Sequence, residues 1–229
     1  MEYIVTASIC AITLIVLKIV IGGNVKMLKQ LAEDKELNNI TDKMPENVEI
    51  CKDILKKIEN DDVVIEENVE SDTSLYIAVT NKISIGKLKG SYVRIQTIAH
   101  ECIHSIQNRR MLMFNFIFSN IYLLYYVAIV ILTLFGIIKN SMLHLLIFSI
   151  LTLVWYFIRS LLEIDAMTRA KYLAKDYMED KNICTKEEIS KVVHGYEKIN
   201  KIGIPLYNYT LLTKSIIKII IYCVINVIK

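Results

Sequence analysis

Thr97-Ile98-Ala99-His100-Glu101-Cys102-Ile103-His104-Ser105 holds the pattern H-E-x-x-H, just ahead of a long apolar block. Residues four apart on a helix sit one above the other on the same face. Read as helix, the stretch lets His100 and His104 reach one metal ion. Glu101 is then placed beside them to take a proton from a metal-bound water. The spacing turns helical from Tyr92 onward, which supports that reading.

Working outward, the 229-residue chain is 54% hydrophobic, and the apolar residues collect in blocks separated by charged stretches. This clustering predicts a mainly α, multi-pass membrane protein with a small β element at its cytoplasmic face. Residues 1–22 are expected to form an N-terminal transmembrane helix, the apolar run from Tyr3 to Gly22 with Lys18 inside it. Met1-Glu2-Tyr3 offers no basic start and no small-residue cleavage site follows, so an uncleaved helix is expected over a signal peptide. Residues 23–111 read as a cytoplasmic region carrying a small sheet and the H-E-x-x-H helix. Residues 112–162 read as a transmembrane hairpin, turning at Lys139-Asn140-Ser141. Residues 163–205 read as a cytoplasmic helical region. Residues 206–229 contain Lys214 and Lys218 four apart, and form either a fourth span or a helix at the interface.

The basic residues gather in 23–111 and 163–205, including Arg109 and Arg110, whereas the hairpin tip has only Lys139. The positive-inside rule puts both polar regions, and the site, in the cytoplasm of a cell-membrane protein. Net charge is +3 and the sequence pI about 8.4, too mild for a nucleic-acid partner. Within 23–111, Ile50, Ile54, Leu55 and Ile58 follow helical spacing after Pro45. Asp62 to Ile65, Ser74 to Val79 and Ile83 to Gly86 read as short strands. The strand candidate Ser74 to Val79 either packs on the motif helix or offers an edge to an extended substrate. The motif helix either ends after the histidines or runs on into the second span. The cysteines (Cys10, Cys51, Cys102, Cys184, Cys223) are odd in number with no C-x-x-C, which predicts neither a disulfide framework nor a cysteine metal site.

The run Ser105-Ile106-Gln107-Asn108-Arg109-Arg110 lacks the glycine and third histidine of metzincins, so the third ligand must come from elsewhere. His144 falls inside the third apolar block, and His194 lies further on. The best candidate is Glu163 in Leu161-Leu162-Glu163-Ile164-Asp165-Ala166-Met167-Thr168-Arg169-Ala170. The hairpin crosses and returns, which brings Glu163 back to the face of the membrane that holds His104. Asp165 is a candidate for orienting a ligand histidine. Arg169, Tyr172 and His194 are candidate oxyanion donors, with Arg169 also within reach of a nearby carboxylate.

These two motifs, Ala99-His100-Glu101 with His104, Ile106 and Gln107, then Glu163, Asp165, Ala166, Arg169 and Ala170, resemble the bacterial membrane-bound neutral zinc metallopeptidase family. That family pairs A-H-E-x-x-H-x-I-Q with E-F-D-A-x-x-R-A across a membrane hairpin; here Ile164 replaces the aromatic residue. A more distant likeness is to the CAAX prenyl protease and heat-shock membrane protease group. That group places an acidic residue four positions after its ligand Glu, where this chain has Met167. The resemblance implies a helical zincin-like core, Zn²⁺ held by His100, His104 and Glu163, and Glu101 as catalytic base. The expected activity is that of a zinc metalloendopeptidase acting on peptide or membrane-protein substrates beside the lipid bilayer. The competing expectation is a non-catalytic membrane protein whose structural zinc site serves partner binding.

Overall fold

The structure, a computed structural model, describes residues 1–21, 24–68, 70–71, 73–88 and 90–229. The expected boundary at 22 and 23, between the first span and the polar region, lies outside the described residues. The elements are α1 (Glu2–Ile21), α2 (Asn24–Ala32), α3 (Lys35–Thr41), α4 (Asn47–Lys57), β1 (Val64–Glu67), β2 (Leu75–Ile77), β3 (Lys82–Ile85), α5 (Arg94–Ile106), α6 (Arg109–Leu134), α7 (Ser141–Lys181) and α8 (Lys186–Ile228). The chain is thus mainly helical with one small sheet. Among the described residues four helices (α1, α6, α7 and α8) are long and apolar enough to cross a membrane. Two compact units result: residues 1–24, 114–161 and 205–229 form one, and residues 25–113 and 162–204 the other.

The first unit is built from the apolar blocks. α1 buries none of its residues and shows Ile4, Ile12 and Ile19 on its surface. Tyr3 and Ala7 pack against the cluster around Tyr122, Phe148 and Tyr222, while the rest of the helix stays exposed and apolar, which suits hydrocarbon surroundings. α6 and α7 run antiparallel, because contacts climb one helix as they descend the other. The Tyr125 hydroxyl meets His144 Nδ1 at 3.0 Å, Tyr122 stacks on Phe148 at 5.3 Å, and Trp155 Nε1 donates to Ser119 Oγ at 2.9 Å. The turn between them is longer than Lys139-Asn140-Ser141, since α6 stops at Leu134. Gly136 adopts φ 74°, a left-handed conformation in which glycine carries no Cβ penalty. Asn140 Oδ1 then accepts from the Leu143 N–H at 3.1 Å and starts α7.

The second unit holds the polar regions. Its sheet has the order β1-β3-β2, with β1 parallel and β2 antiparallel to β3. β1 begins at Val64, two residues later than the sequence pattern suggests. β2 and β3 form a hairpin whose turn places Asn81 at φ 49°, a conformation asparagine tolerates. Pro45 stands before the cap of α4, Glu46, and not inside the helix as its first residue.

α5 threads the core of this unit and buries nine of its residues. At its start Arg94 is buried, and its guanidinium donates to the carbonyls of Thr41 (2.7 Å), Met44 (2.9 Å) and Pro45 (2.8 Å) and to Asn47 Oδ1 (2.9 Å). One planar fork therefore ties together the backbone between the end of α3 and the start of α4. Further along, Gln96 Nε2 donates to Asn200 Oδ1 at 2.6 Å, and Asn200 Nδ2 donates to the Met167 carbonyl at 3.1 Å. These two bonds tie α5, α7 and α8 together. Gly195 lets α8 approach closely: a Cβ there would meet Leu37 Cδ1 at 2.7 Å and the Tyr92 ring at 2.9 Å.

α7 runs unbroken from the apolar block into the segment that holds Glu163. α8 likewise continues as one helix from Lys186 through Pro205 to Ile228, so the last apolar block is a continuation and not a separate element.

Candidate metal centre

α5 carries His100 and His104 one turn apart; His104 is buried with Ala99 and Ile103, and His100 is half-buried. α7 brings Glu163 opposite them. On the same face of α7, at helical spacing, stand Ala166 and Ala170, both fully buried. Small side chains at these positions let the two helices close up.

His104 Nε2 and His100 Nε2 are 3.1 Å apart. Glu163 Oε2 lies 3.5 Å from His100 Nε2, and Glu163 Oε1 lies 3.6 Å from His104 Nε2. Zinc bonds of about 2.0–2.1 Å at tetrahedral angles put neighbouring donor atoms roughly 3.3 Å apart. The three separations straddle that value. The donor set of two imidazoles and one carboxylate also suits a divalent transition metal. Among the described residues these three form the one group of His, Cys, Asp and Glu side chains close enough to share an ion, and no fourth joins them.

The tautomer of His104 follows from its neighbour. Gln107 Nε2 donates to the Leu162 carbonyl and to Asp165 Oδ2, each at 2.8 Å. A carbonyl only accepts, so the Gln107 amide nitrogen faces α7 and its oxygen faces His104. Gln107 Oε1 lies 2.8 Å from His104 Nδ1, which is therefore the ring's donor. In the neutral ring Nε2 then carries the lone pair, on the side of Glu163 and His100; when the ring is protonated it carries the proton that faces Glu163. Asp165, the sequence candidate for orienting a ligand histidine, is linked to His104 through Gln107.

This relay depends on a break in the chain. α5 stops at Ile106 and does not run on into α6; Gln107 is extended, at ψ 161°. Asn108 Oδ1 then accepts from the Arg110 N–H at 2.9 Å and opens the next helix. The break turns the Gln107 side chain back toward its own helix. Gln107→Ala is expected to lower metal affinity about 10–100-fold, the range for partners that orient a ligand, and also to lower the melting temperature of the metal-free protein, since the bonds to Leu162 and Asp165 go with it. Competition titration with a chromogenic chelator measures the affinity.

Glu101 is buried, and its Oε2 accepts from the Tyr76 N–H at 2.6 Å. Burial raises its pKa, against the charges of His100 and His104 and the Tyr76 hydrogen bond, which lower it. A carboxylate held this way is a stronger base than one in water. The same bond defines β2 as an edge. Tyr76 faces Ile83 in register, yet its N–H points away from β3 to Glu101. Its carbonyl lies on the same side of the strand, the side on which α5 packs through Glu101.

The remaining sequence candidates are placed elsewhere. Arg169 Nη1 is 3.4 Å from Asp165 Oδ2, one turn back on α7. His194 is exposed and its Nδ1 lies 3.8 Å from Glu197 Oε2. Tyr172 is exposed, with Lys171 Nζ 4.6 Å from its ring centre. His144 meets Tyr125 in the other unit. The residue that sequence reasoning left without a role is Gln107. It stood inside the matched motif, but nothing in spacing alone says that its amide bridges two helices. The five cysteines are free thiols; Cys51 and Cys102 touch at 3.8 Å in the core behind the motif.

Comparison with protein-family models, with curated proteins and with solved structures returns no match to this chain.

The site's own chemistry sets its pH response. Burial alone would push the His104 imidazole down, but the hydrogen bond and charge of Glu163 outweigh it and hold the pKa above 6.5. A metal needs the bare Nε2, so metal uptake must release this proton. Apparent zinc affinity is expected to fall about tenfold per pH unit below that raised value through this group alone, and to level off above it. In chelator-treated protein the sign is opposite. The proton on His104 stabilises the fold below 6.5, and that contribution disappears as pH rises through the raised value. Calorimetric zinc titrations in buffers of different ionisation enthalpy check the first statement, and melting curves against pH the second.

Proposed function

We propose that this protein is an integral membrane zinc metalloendopeptidase with a cytoplasm-facing site. The observation that carries the reading is the convergence of His100, His104 and Glu163 donor atoms at 3.1 to 3.6 Å, with Glu101 buried one residue along the same helix. Three protein ligands with no fourth among the described residues match the composition of a catalytic zinc site, which keeps a position for water. A structural site is normally closed by four. The two motifs also resemble those of the bacterial membrane-bound neutral zinc metallopeptidases, in order and spacing.

When bound, zinc would lower the pKa of a coordinated water and polarise the scissile carbonyl. The protein's own residues do the rest. Glu101 takes a proton and returns it to the leaving amine. Gln107 holds His104 in the tautomer that leaves Nε2 bare. The edge of β2 beside Glu101 is suited to pair with an extended peptide. Glu163 follows Leu161 by two residues on one helix and Arg109 follows His104 by five, so membrane-associated polypeptides are the fitting substrates.

A second reading is supported by the Glu101–Tyr76 bond itself. There Glu101 would be a strut between α5 and β2, in a metal-binding protein that cuts nothing. Metal analysis of the purified full chain, followed by hydrolysis of a generic fluorogenic peptide with and without chelator, separates the two. The peptidase reading expects about one zinc per chain and an activity abolished by chelation and restored by zinc. Bound zinc with no hydrolysis across a broad peptide library would favour the strut.

A further inference from the structure

We propose that the unit formed by the apolar blocks contains a binding site for the phosphate of an anionic phospholipid, built around Lys214 and Lys218. The inference rests on insertion of these helices in a bilayer and is independent of the peptidase reading.

Within residues 1–24, 114–161 and 205–229 the one acidic side chain is Glu2, whereas Lys18, Lys139, Arg159, Lys214, Lys218 and Lys229 are basic. Lys214 and Lys218 share one cavity, and Arg159 beside them already donates from Nε to the Tyr207 hydroxyl at 3.2 Å. A cavity of about 550 Å³ is lined by Arg159, Lys214 and Lys218, and an adjoining one of about 300 Å³ shares Arg159, Lys218 and Trp155 with it. Among the described residues no carboxylate lines either.

Lys218 is held by aromatic faces. Its Nζ lies 4.6 Å from the centre of the Tyr122 ring, 5.7 Å from Trp155 and 5.8 Å from Tyr126. Ring quadrupoles attract the ammonium but are neutral, so its charge stands. A cation at membrane depth is costly unless it meets an anion or water, and such residues mark functional sites. In the smaller cavity Asn115 is 9% exposed, and its Oδ1 has no hydrogen-bond partner. That acceptor fits a headgroup or glycerol hydroxyl, while the ammonium groups fit phosphate oxygens. Leu123 on one cavity and Ile217 on the other are exposed and apolar, and offer acyl chains a surface. Charge, an unmet acceptor and an apolar margin together describe a phospholipid better than a soluble anion.

The test uses the purified full chain in neutral detergent and native mass spectrometry, with dioleoyl phosphatidylglycerol against dioleoyl phosphatidylcholine. Wild type is expected to retain the anionic lipid about tenfold better, and Lys214→Gln with Lys218→Met to reduce that preference to about twofold or less. Lys218→Arg should keep it. Should the double variant fail to fold by circular dichroism, Lys214→Gln alone, at an exposed position, is expected to give a partial loss. Equal retention of the two lipids by wild type, or an unchanged preference in a folded neutral variant, overturns the site. Stabilisation by inorganic phosphate equal to that by phosphatidylglycerol overturns the lipid assignment. Retention in carbonate-washed membranes reports insertion separately, and zinc content should be the same in every variant.

Discussion

Glu101→Gln is expected to keep zinc at wild-type stoichiometry and lose peptide hydrolysis by about 100- to 10,000-fold, the contribution of a positioned general base. The substitution is chosen for its geometry. Glutamine retains an oxygen to accept from the Tyr76 N–H at the position where Glu101 Oε2 now does, so β2 stays tied to α5. It removes only the ability to take a proton. Burial raises the pKa of Glu101, which means that ionising it costs the folded state something. The amide should therefore leave the melting temperature unchanged or slightly higher. Loss of activity together with a lower melting temperature would indicate the strut. Undiminished hydrolysis in Glu101→Gln would remove the mechanism altogether. Single-turnover peptide cleavage, metal analysis and a melting curve on the same preparation give the answer.

Glu163→Ala is expected to cost more than about 100-fold in zinc affinity, beyond the range of an outer partner such as Gln107, and to reduce hydrolysis to background. The reason is the donor geometry. Two histidines one turn apart on α5 would give a bound ion two corners of a tetrahedron, and the carboxylate from α7, 3.5 and 3.6 Å away, would give the third. Two imidazoles alone leave the ion half solvated. Cobalt substitution gives a direct readout, because tetrahedral cobalt absorbs far more strongly in the visible than the octahedral aqua ion. Wild type should show the intense bands and Glu163→Ala should not. Glu163→Asp, shorter by one methylene, should recover part of the affinity. Stoichiometric zinc held tightly by Glu163→Ala would refute the assignment of this residue as a ligand.

The sequence alone determined a good deal, and for identifiable reasons. Long apolar blocks are a composition signal that needs no knowledge of packing, so the four helices able to cross a membrane were legible from residues 3 to 228. Histidines four apart lie on one helix face by the geometry of the helix itself, which brought His100 and His104 together before any fold was known. Glu163 was legible one step further, because a hairpin that goes out and returns limits where its second arm can end. What only the tertiary structure decided were the features that depend on where one element meets another. The break at Gln107 and Asn108 stops α5 short of α6 and frees an amide to bridge His104 and Asp165. The Tyr76 N–H meets Glu101 because β2 lies at the edge of the sheet, and strand order is not written in any local pattern. Lys214 and Lys218 read as a polar stripe on one helix, but the rings and the cavity around them come from α6 and α7. Periodicity is a property of one segment and survives without neighbours. Hydrogen-bond partners and cavities belong to pairs of segments, and the chain reveals them only once packing has fixed those segments against each other.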